Sequence, residues 1–286
     1  MIVFFGTSPY SAQFLNSALQ NGLKIDLVVS APAKPVGRRQ ILTENPVVSL
    51  AKKLKIPFVI SLAHLPAYQL TNPLTLGLML DFNQIIPQSI IDLFSQGIIN
   101  IHFSRLPQYR GPSPVQTTIL HGHQEAWITY HLITARLDEG PILAQTSLPL
   151  NGQETTADLY QRLIEKAAQE IPSIVSDWLA GKIQLRQQEG QPTFTTKLTT
   201  NKAKIDWTKS PQEIDRLIRA AYPEPGAWTE IKLKVQSEKF KVMRLKILKT
   251  HLENNELVLD YVQLEGKNPV SWKQFKEGYP EAQIKI

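Results

Sequence analysis

Apolar runs alternate with helix-like segments along the first two-thirds of the chain. Four short, mostly apolar runs predict buried strands, and the segments between them carry apolar residues three or four positions apart, as amphipathic helices do. The predicted strands are Met1–Phe5, Asp26–Val29, Leu76–Leu80 and Ile98–Phe103, and the predicted helices are Ser11–Gln20, Pro46–Leu54 and Pro87–Ser95. This alternation predicts an α/β domain, in which helices cover both faces of a parallel sheet.

The pattern changes after a long helical segment, Thr156–Ala180, in which Pro172 is expected to introduce a kink. A polar stretch rich in Gln and Thr follows and is interpreted as a linker. One further helix and several strand-like runs then have the content of a small β-barrel. The helix is Pro211–Ala221, and the runs are Trp228–Val235, Lys241–Leu248 and Leu257–Leu264. We therefore predict a first domain over 1–183, a linker over 184–204 and a second domain over 205–286.

Composition narrows the classes of protein that fit. With 42% hydrophobic and 20% charged residues, the 286-residue chain is not intrinsically disordered. It has no Cys, which excludes disulfides, thiolate metal sites and a cysteine nucleophile. No apolar run approaches the length of roughly 18 residues that suggests a membrane span. The first residues lack the basic flank and long apolar stretch of a secretory signal, so a cytoplasmic location is expected.

The positive charge is concentrated near the end of the chain. The net charge is +6, with 17 Lys and Arg against 12 Asp and Glu from residue 194 onward, and 14 against 13 before it. A solvated, lysine-rich strand surface would explain this surplus. A module that binds a polyanion through phosphate contacts would explain it equally well.

The strongest chemical signal lies at the end of a predicted strand. In Asn100–Ser104, the residues Asn100, His102 and Ser104 point to one face and their apolar neighbours to the other. Ligands of open α/β sheets bind beyond the carboxyl ends of the strands. A helix is predicted to follow, with Ser113 as its N-cap and Gln116 closing a capping box. By itself, His102 could also be an ordinary buried, hydrogen-bonded histidine.

A second signal is the turn sequence around Asp138, just before another apolar run. Such a carboxylate is often simply solvated. A carboxylate that faces an imidazole, however, orients the ring and favours its cation. Together, Asn100, His102 and Asp138 could stabilise an oxyanion and relay a proton with neither a metal nor a covalent intermediate. No dinucleotide or Walker A glycine loop is present, and His121 and His123 are interpreted as a surface pair.

The segment Asn100–Gly111 resembles the Asn-x-His…Ser-Leu-Leu-Pro-x-Tyr-Arg-Gly signature of the folate-dependent formyltransferases, and Leu137–Leu143 is similar to their Leu-Asp-x-Gly-x-Ile-Leu. Further features resemble the family members that formylate initiator tRNA. They are Gly6-Thr7, the basic loop Pro32–Arg38, and the C-terminal segments Ile205–Trp207, Ile218–Ala220, Pro223–Ala227 and Leu264–Lys267. The resemblance covers almost the whole chain.

This resemblance implies a Rossmann-like formyltransferase domain followed by a small OB-fold-like β-barrel domain. It implies 10-formyltetrahydrofolate as the formyl donor, methionyl-initiator tRNA as the acceptor, and no metal. Asn100 and His102 would stabilise the tetrahedral oxyanion, while Asp138 would hold His102 cationic and help to move the proton. The implied folate-site residues are Phe82, Asn83, Ile85, Ser104, Arg105, Leu106 and Pro107, and the implied tRNA contacts are Lys34, Arg38 and Arg39. We expect a monomer that does not bind membranes.

The chain departs from the family pattern around the predicted folate site. Phe82-Asn83 stands where the family usually has Tyr-Gly, and Arg105 replaces a Leu. The other departures are Phe103, Trp127 and Arg136. Several of them fall where the family has glycine, and the chain contains only 14 Gly. Altered folate affinity or a different acceptor, such as an amino sugar, therefore remains open, as does a catalytically weakened RNA-binding paralogue.

Overall fold

The apolar runs of the first half of the chain form strands of a seven-stranded sheet. The computed structural model describes residues 1–36, 40–235 and 239–284. Its elements, in chain order, are β1 Ile2–Phe5, α1 Pro9–Gln20, β2 Leu27–Val29, β3 Lys34–Val36, β4 Ile41–Thr43, α2 Pro46–Leu54, β5 Phe58–Val59, a 3₁₀ turn Leu62–His64, α3 Leu65–Gln69, β6 Leu76–Met79, α4 Gln88–Ile91, β7 Ile98–His102, α5 Pro114–Leu120, β8 Glu125–Leu132, β9 Ile142–Pro149, α6 Thr156–Leu179, α7 Pro211–Ala221, β10 Ala227–Val235, β11 Lys239–Glu253, β12 Glu256–Leu264, β13 Val270–Ser271, α8 Trp272–Gly278 and β14 Gln283–Ile284.

The chain divides into two compact units whose segments interleave along the sequence. The N-terminal unit consists of Met1–Gly111, Ala126–Leu148 and Tyr160–Phe194, and the C-terminal unit of Pro112–Glu125, Pro149–Leu159 and Thr195–Ile286. The domain boundaries expected from the sequence stay a prediction.

The sheet of the N-terminal unit has the strand order β5-β2-β1-β6-β7-β8-β9. Strands β5, β2, β1, β6 and β7 run parallel, as the strand–helix alternation predicts, whereas β8 pairs antiparallel with β7. After β5 the chain returns to the middle of the sheet, so the strand order reverses direction between the neighbouring strands β1 and β6. A ligand site is expected beyond the carboxyl ends of the strands at such a crossover point.

The helix predicted over 87–95 is shorter in the structure, where α4 ends at Ile91. Beyond α4, backbone N–H groups form hydrogen bonds with the segment just before β6 instead of with helical acceptors. The Ser95 and Gln96 backbone N–H groups donate to the carbonyls of Leu74 and Thr75, at 3.2 and 2.8 Å. Apolar periodicity cannot detect this, because the competing acceptors lie about twenty residues earlier.

The C-terminal unit contains a five-stranded antiparallel sheet with the order β13-β12-β11-β10-β14. Helix α7 begins with a complete capping box between Ser210 and Glu213. Its apolar face, with Ile214 and Ile218, belongs to the same buried core as the inward-facing residues of β10 and β11. The predicted small β domain at the end of the chain is thus confirmed as an antiparallel sheet domain.

The capping box predicted for α5 does not form. Ser113 occupies the N-cap position, but its side chain makes no capping hydrogen bond. In a capping box, Gln116 would accept the Ser113 backbone N–H; that group instead donates to the hydroxyl of Thr195, at 3.1 Å. A residue remote in sequence therefore takes the place of the local cap.

Helix α6 is the longest, at 24 residues, and carries Pro172 in its interior. Among the described residues, no helix has the length and the apolar character needed to cross a membrane.

Candidate active site

Polar groups collect at the carboxyl ends of the parallel strands β1, β6 and β7. Thr7 follows β1, and both its backbone N–H and its hydroxyl donate to the carbonyl of Asp81, which follows β6, at 3.2 and 3.0 Å. The Asn83 backbone N–H in turn donates to the Thr7 hydroxyl, at 3.1 Å. The loops after β1 and β6 are thereby fixed to each other beside the end of β7.

Asn100 and His102 lie on β7, and the antiparallel strand β8 places two further polar side chains beside them. His131 stands opposite Asn100, and Thr129 stands opposite His102. Paired residues in a sheet point to the same face. The side chains of Asn100, His102 and His131 are buried, with exposed fractions of 8%, 7% and 1% for these residues. A buried polar row therefore runs along the shared face of the two strands.

Asp138 reaches this row from the loop between β8 and β9. Its carboxylate accepts the Gly111 backbone N–H at 2.8 Å through Oδ2, and an Asn100 amide N–H at 3.4 Å through Oδ1. The same Oδ2 lies 3.8 Å from Nδ1 of His102. The three candidate catalytic residues named from the sequence are thus brought together in one buried cluster.

One hydrogen bond and one close carboxylate define the orientation of the His102 ring. Its Nε2 lies 2.9 Å from the carbonyl oxygen of Tyr109, and because a carbonyl can only accept, Nε2–H is the donor. In the neutral ring, Nδ1 is then the basic nitrogen, and it faces the Asp138 carboxylate. The site can therefore take up a proton at Nδ1 next to a negative charge.

His131 also belongs to this cluster, although no sequence motif around it points to a functional role. Its Nδ1–H donates to the carbonyl of Leu132, and its Nε2 accepts an Asn100 amide N–H, both at 3.0 Å. Complete burial, reinforced by the neighbouring His102, lowers the pKa of the His131 imidazole to about 4, although Asp138 acts in the opposite direction. The ring is therefore neutral near pH 7. The alternation of Thr129 and His131 with apolar residues along β8 is the sequence signal that could have found it.

The residues expected to line the folate site follow β6 and β7. The ring of Phe82 packs edge-on against Phe5, with 5.6 Å between the ring centres, while Ile85 is 91% exposed. Ser104 is buried, and its hydroxyl donates to the carbonyl of Gln108 at 2.6 Å. Leu106 is buried and Pro107 half-buried. Both segments lie at the same edge of the sheet, and their contact with folate stays a prediction.

Two of the departures from the family pattern occur as a pair. The exposed guanidinium of Arg105 lies over the ring of Trp127, 4.5 Å from its centre. Asn83 is exposed, and the positive backbone φ angles of non-glycine residues in these loops belong instead to Asp81, Tyr109 and Asp138. The absence of glycine at Asn83 therefore does not force that residue into a left-handed conformation.

The C-terminal unit presents cations on one face of its sheet. Strand pairing sets Lys232, Lys234, Arg244 and Lys246, which we call the cationic strand face, on the same side of β10 and β11 as Trp228 and one acidic residue, Glu230. Arg244 lies over the Trp228 ring at 4.1 Å from its centre, and Lys204 lies over it at 5.2 Å. The cations of this face suit contact with phosphates.

Of the tRNA contacts expected from the sequence, Lys34 is exposed on β3, which pairs with β4 as a short hairpin. Arg38 and Arg39 lie outside the described residues. Within the described ranges, no group of three or more His, Cys, Asp or Glu residues could hold a metal ion. The rings of His121 and His123 are neighbours, with centres 6.0 Å apart.

Comparison with known proteins gives a consistent result over both halves of the chain. The sequence model described as "Formyl transferase" matches residues 1–175, and that described as "Formyl transferase, C-terminal domain" matches residues 197–257. The methionyl-tRNA formyltransferase of Protochlamydia amoebophila is 28% identical over 100% of this chain and 97% of its own length. That of Bacillus cereus (strain B4264) is 33% identical over 80% of this chain and 75% of its own.

Among solved structures, the fold is similar to that of an N-formyltransferase from Helicobacter canadensis, in complex with folinic acid and dTDP-3-aminofucose. The TM-score is 0.64 at 22% identity, over 94% of this chain and 98% of that one. A likeness at this level of identity concerns the fold.

Proposed function

Because this chain belongs to the formyl transferase family, we propose that it transfers the formyl group of 10-formyltetrahydrofolate to the α-amino group of methionyl-initiator tRNA. The observation that carries the proposal is the convergence of Asn100, His102 and Asp138 in one buried cluster. The relatives that match over most of the chain are named methionyl-tRNA formyltransferase, which supports the choice of acceptor. A cytoplasmic location and a monomeric state belong to the same proposal.

In the proposed reaction, the amino nitrogen of the acceptor attacks the formyl carbon, and the bond from that carbon to the folate nitrogen then breaks. The amine loses a proton and the folate nitrogen gains one. Negative charge develops on the formyl oxygen as the carbon becomes tetrahedral. A buried site stabilises such charge with donors that are already oriented.

Asn100 and His102 are suited to supply these donors. The Nε2–H of His102 donates to the backbone carbonyl of Tyr109, which the developing oxyanion would replace. The Asn100 amide is anchored on one side by Nε2 of His131, at 3.0 Å. Hydrogen bonds of an active site commonly tighten only when the substrate is bound.

Asp138 is suited to manage the proton. Its Oδ2 faces Nδ1 of His102 at 3.8 Å and also accepts the Gly111 N–H. A carboxylate in this position favours the imidazolium and orients the ring. The pair can thereby take the proton that the attacking amine releases, directly or through a water molecule.

The folate site is proposed to lie beyond the ends of β6 and β7, between the Phe82–Ile85 and Ser104–Pro107 segments. The exposed Ile85 side chain and the backbone of its loop are available there to a flat, partly apolar ligand. For the tRNA, we propose that the loop carrying Lys34, Arg38 and Arg39 contacts the acceptor arm, and that the cationic strand face contacts backbone phosphates.

A direct assay tests the proposal. Purified protein is supplied with 10-formyltetrahydrofolate and, in separate reactions, methionyl-initiator tRNA or a nucleotide-linked amino sugar. Formylation of the tRNA is expected. Formylation of the sugar alone would move the assignment to the kind of acceptor present in the Helicobacter canadensis complex. Tight tRNA binding with no formylation of either acceptor would favour the RNA-binding alternative.

A further inference from the structure

The polar stretch that the sequence suggests is a linker makes ordered contacts with the loops of the catalytic cluster. Arg186 exchanges both backbone hydrogen bonds with Ile142, at 3.0 and 2.7 Å. Thr193 accepts the Arg110 backbone N–H at 2.9 Å, and its hydroxyl accepts the Tyr109 N–H at 2.9 Å. Residues 186–194 therefore belong to the N-terminal unit and border the site.

Within this stretch, Gln188 joins two loops with one side chain. Its Nε2 donates to the carbonyls of Asp138 and Gly140, at 2.7 and 2.9 Å. Its Oε1 accepts from Nε and Nη2 of Arg110, at 3.2 and 2.8 Å. Both donor hydrogens and both acceptor sites of the amide are thus used.

The two loops that Gln188 joins are those that place the catalytic groups. Asp138 has a backbone φ of +53°, a left-handed conformation that a non-glycine residue keeps only when its surroundings hold it there. On the other side, Arg110 lies between Tyr109, whose carbonyl binds His102, and Gly111, whose N–H binds the Asp138 carboxylate.

An ion pair reinforces the connection, because Nη1 of Arg110 binds Oε1 of Glu139 at 2.8 Å. This pair alone would hold the guanidinium against the loop but would leave the carbonyls of Asp138 and Gly140 without the Gln188 donor. Gln188, in contrast, contacts both the Asp138 backbone and the Arg110 side chain.

We propose that Gln188 is a positioning residue for the formyl transfer, which acts by fixing the Asp138 loop and the Tyr109–Gly111 loop relative to each other. This inference rests on the proposed function. Gln188 does not itself reach the reacting atoms; it sets the separation of the Asp138 carboxylate and the His102 ring. Misplacing a catalytic group by about 1 Å costs about 100-fold in rate.

The test compares Gln188→Ala and Gln188→Glu with Gln187→Ala. Gln187 is the exposed neighbour of Gln188 and is the matched control. For Gln188→Ala, we expect kcat to fall by about 10- to 100-fold with the KM for 10-formyltetrahydrofolate changed less than about twofold. Gln188→Glu keeps oxygen acceptors for Arg110, but it replaces the amide donor with an oxygen that repels the carbonyls of Asp138 and Gly140. The kcat of this variant should therefore fall similarly while the protein stays folded.

A second measurement does not depend on the acceptor. The ring resonances of His102 are compared by NMR at a single pH in the wild type and in the three variants. A displaced Asp138 carboxylate should change these chemical shifts in both Gln188 variants and leave them unchanged in Gln187→Ala. A role confined to folding would lower the melting temperature without changing the His102 resonances.

The possible results distinguish the positioning role of Gln188 from the proposed tRNA acceptor. Wild-type kcat together with wild-type His102 ring resonances in both Gln188 variants would overturn the positioning role. An inactive wild type in the tRNA assay would overturn the proposed acceptor, whereas the NMR comparison would still decide the role of Gln188. If Gln188→Ala fails to fold, Gln188→Glu provides the decision.

Discussion

The buried cluster of the N-terminal unit and the cationic strand face of the C-terminal unit use charge in opposite ways. In the cluster, Asp138 and two histidines are at most 9% exposed, and each is held by specific hydrogen bonds. On the strand face, the Lys246 and Lys234 side chains are 30% and 46% exposed. Charges in a buried site interact strongly and require fixed geometry, whereas exposed charges are screened by salt and tolerate movement.

This contrast indicates what each region can do. A cluster of few, oriented groups suits chemistry on one small reacting centre, where geometry controls the rate. A face of exposed cations suits a long polyanion, for which many weak contacts add up. We therefore expect changes in the first region to alter kcat and changes in the second to alter binding.

The largest effect is expected from removing the catalytic imidazole or its carboxylate. His102→Ala or Asp138→Asn should lower kcat by about 10³-fold, because each removes a group that manages charge or protons in the transition state. Steady-state kinetics with methionyl-tRNA measure this, and the exposed His64→Ala is the control. Retention of more than a tenth of the wild-type kcat by either variant would contradict the site assignment.

A smaller effect, on stability, is expected from His131. Its pKa is about 4 in the folded protein and about 6.5 when unfolded. As the pH falls from about 6.5 to 4, the unfolded chain takes up a proton that the native state does not, so the free energy of unfolding decreases. At about 1.4 kcal/mol per pK unit, this contribution is about 3 kcal/mol.

In His131→Gln, the loss of unfolding free energy between pH 7 and pH 4 should be smaller than in wild type by about that amount. Denaturant unfolding at several pH values measures it. His251→Gln is the counterpart in the C-terminal unit, where the imidazole is half exposed and paired with Asp260 at 2.9 Å. An equal acid sensitivity of wild type and His131→Gln would show that His131 is not held neutral.

For the cationic strand face, we expect an effect on binding alone. Arg244→Glu together with Lys232→Glu should weaken tRNA affinity by about tenfold and reduce the dependence of log Kd on log salt concentration by about 2, one for each lost phosphate contact. The kcat at saturating tRNA should stay within about twofold. Lys24→Glu, an exposed change in the N-terminal unit, is the control. An unchanged salt dependence would favour a merely solvated lysine surface.

The smallest effect is expected at the Arg105–Trp127 pair. Arg105→Leu introduces the residue usual in the family and removes an exposed cation–π contact, which contributes about 0.5–1 kcal/mol. We expect a loss of stability within that range and an unchanged kcat. Thermal unfolding and steady-state kinetics measure the two quantities. Because Arg105 belongs to the segment proposed to line the folate site, the KM for 10-formyltetrahydrofolate should change by about threefold. An unchanged KM would show that the Arg105 side chain does not contribute to folate binding.

Local patterns were sufficient for much of the architecture. Apolar runs located four of the five described parallel strands and missed the two-residue strand β5. The helix over Pro211–Ala221 is predicted with the limits that the structure has. Side-chain alternation around Asn100 and His102 indicated a polar face at a strand end before any fold was known. These inferences succeed because period, capping and turn chemistry act over only a few residues.

The contacts that complete the candidate site were decided by tertiary structure. The pairing of β7 with β8 brings His131 to Asn100, and the return of a polar segment brings Gln188 to Asp138 and Arg110. A tertiary contact also prevents the capping box expected at Ser113, because the Thr195 hydroxyl accepts the Ser113 backbone N–H. A sequence shows which side chains can hydrogen-bond. Which partner each one meets depends on how strands and loops far apart in the chain are placed, and in this protein that placement connects the catalytic loops.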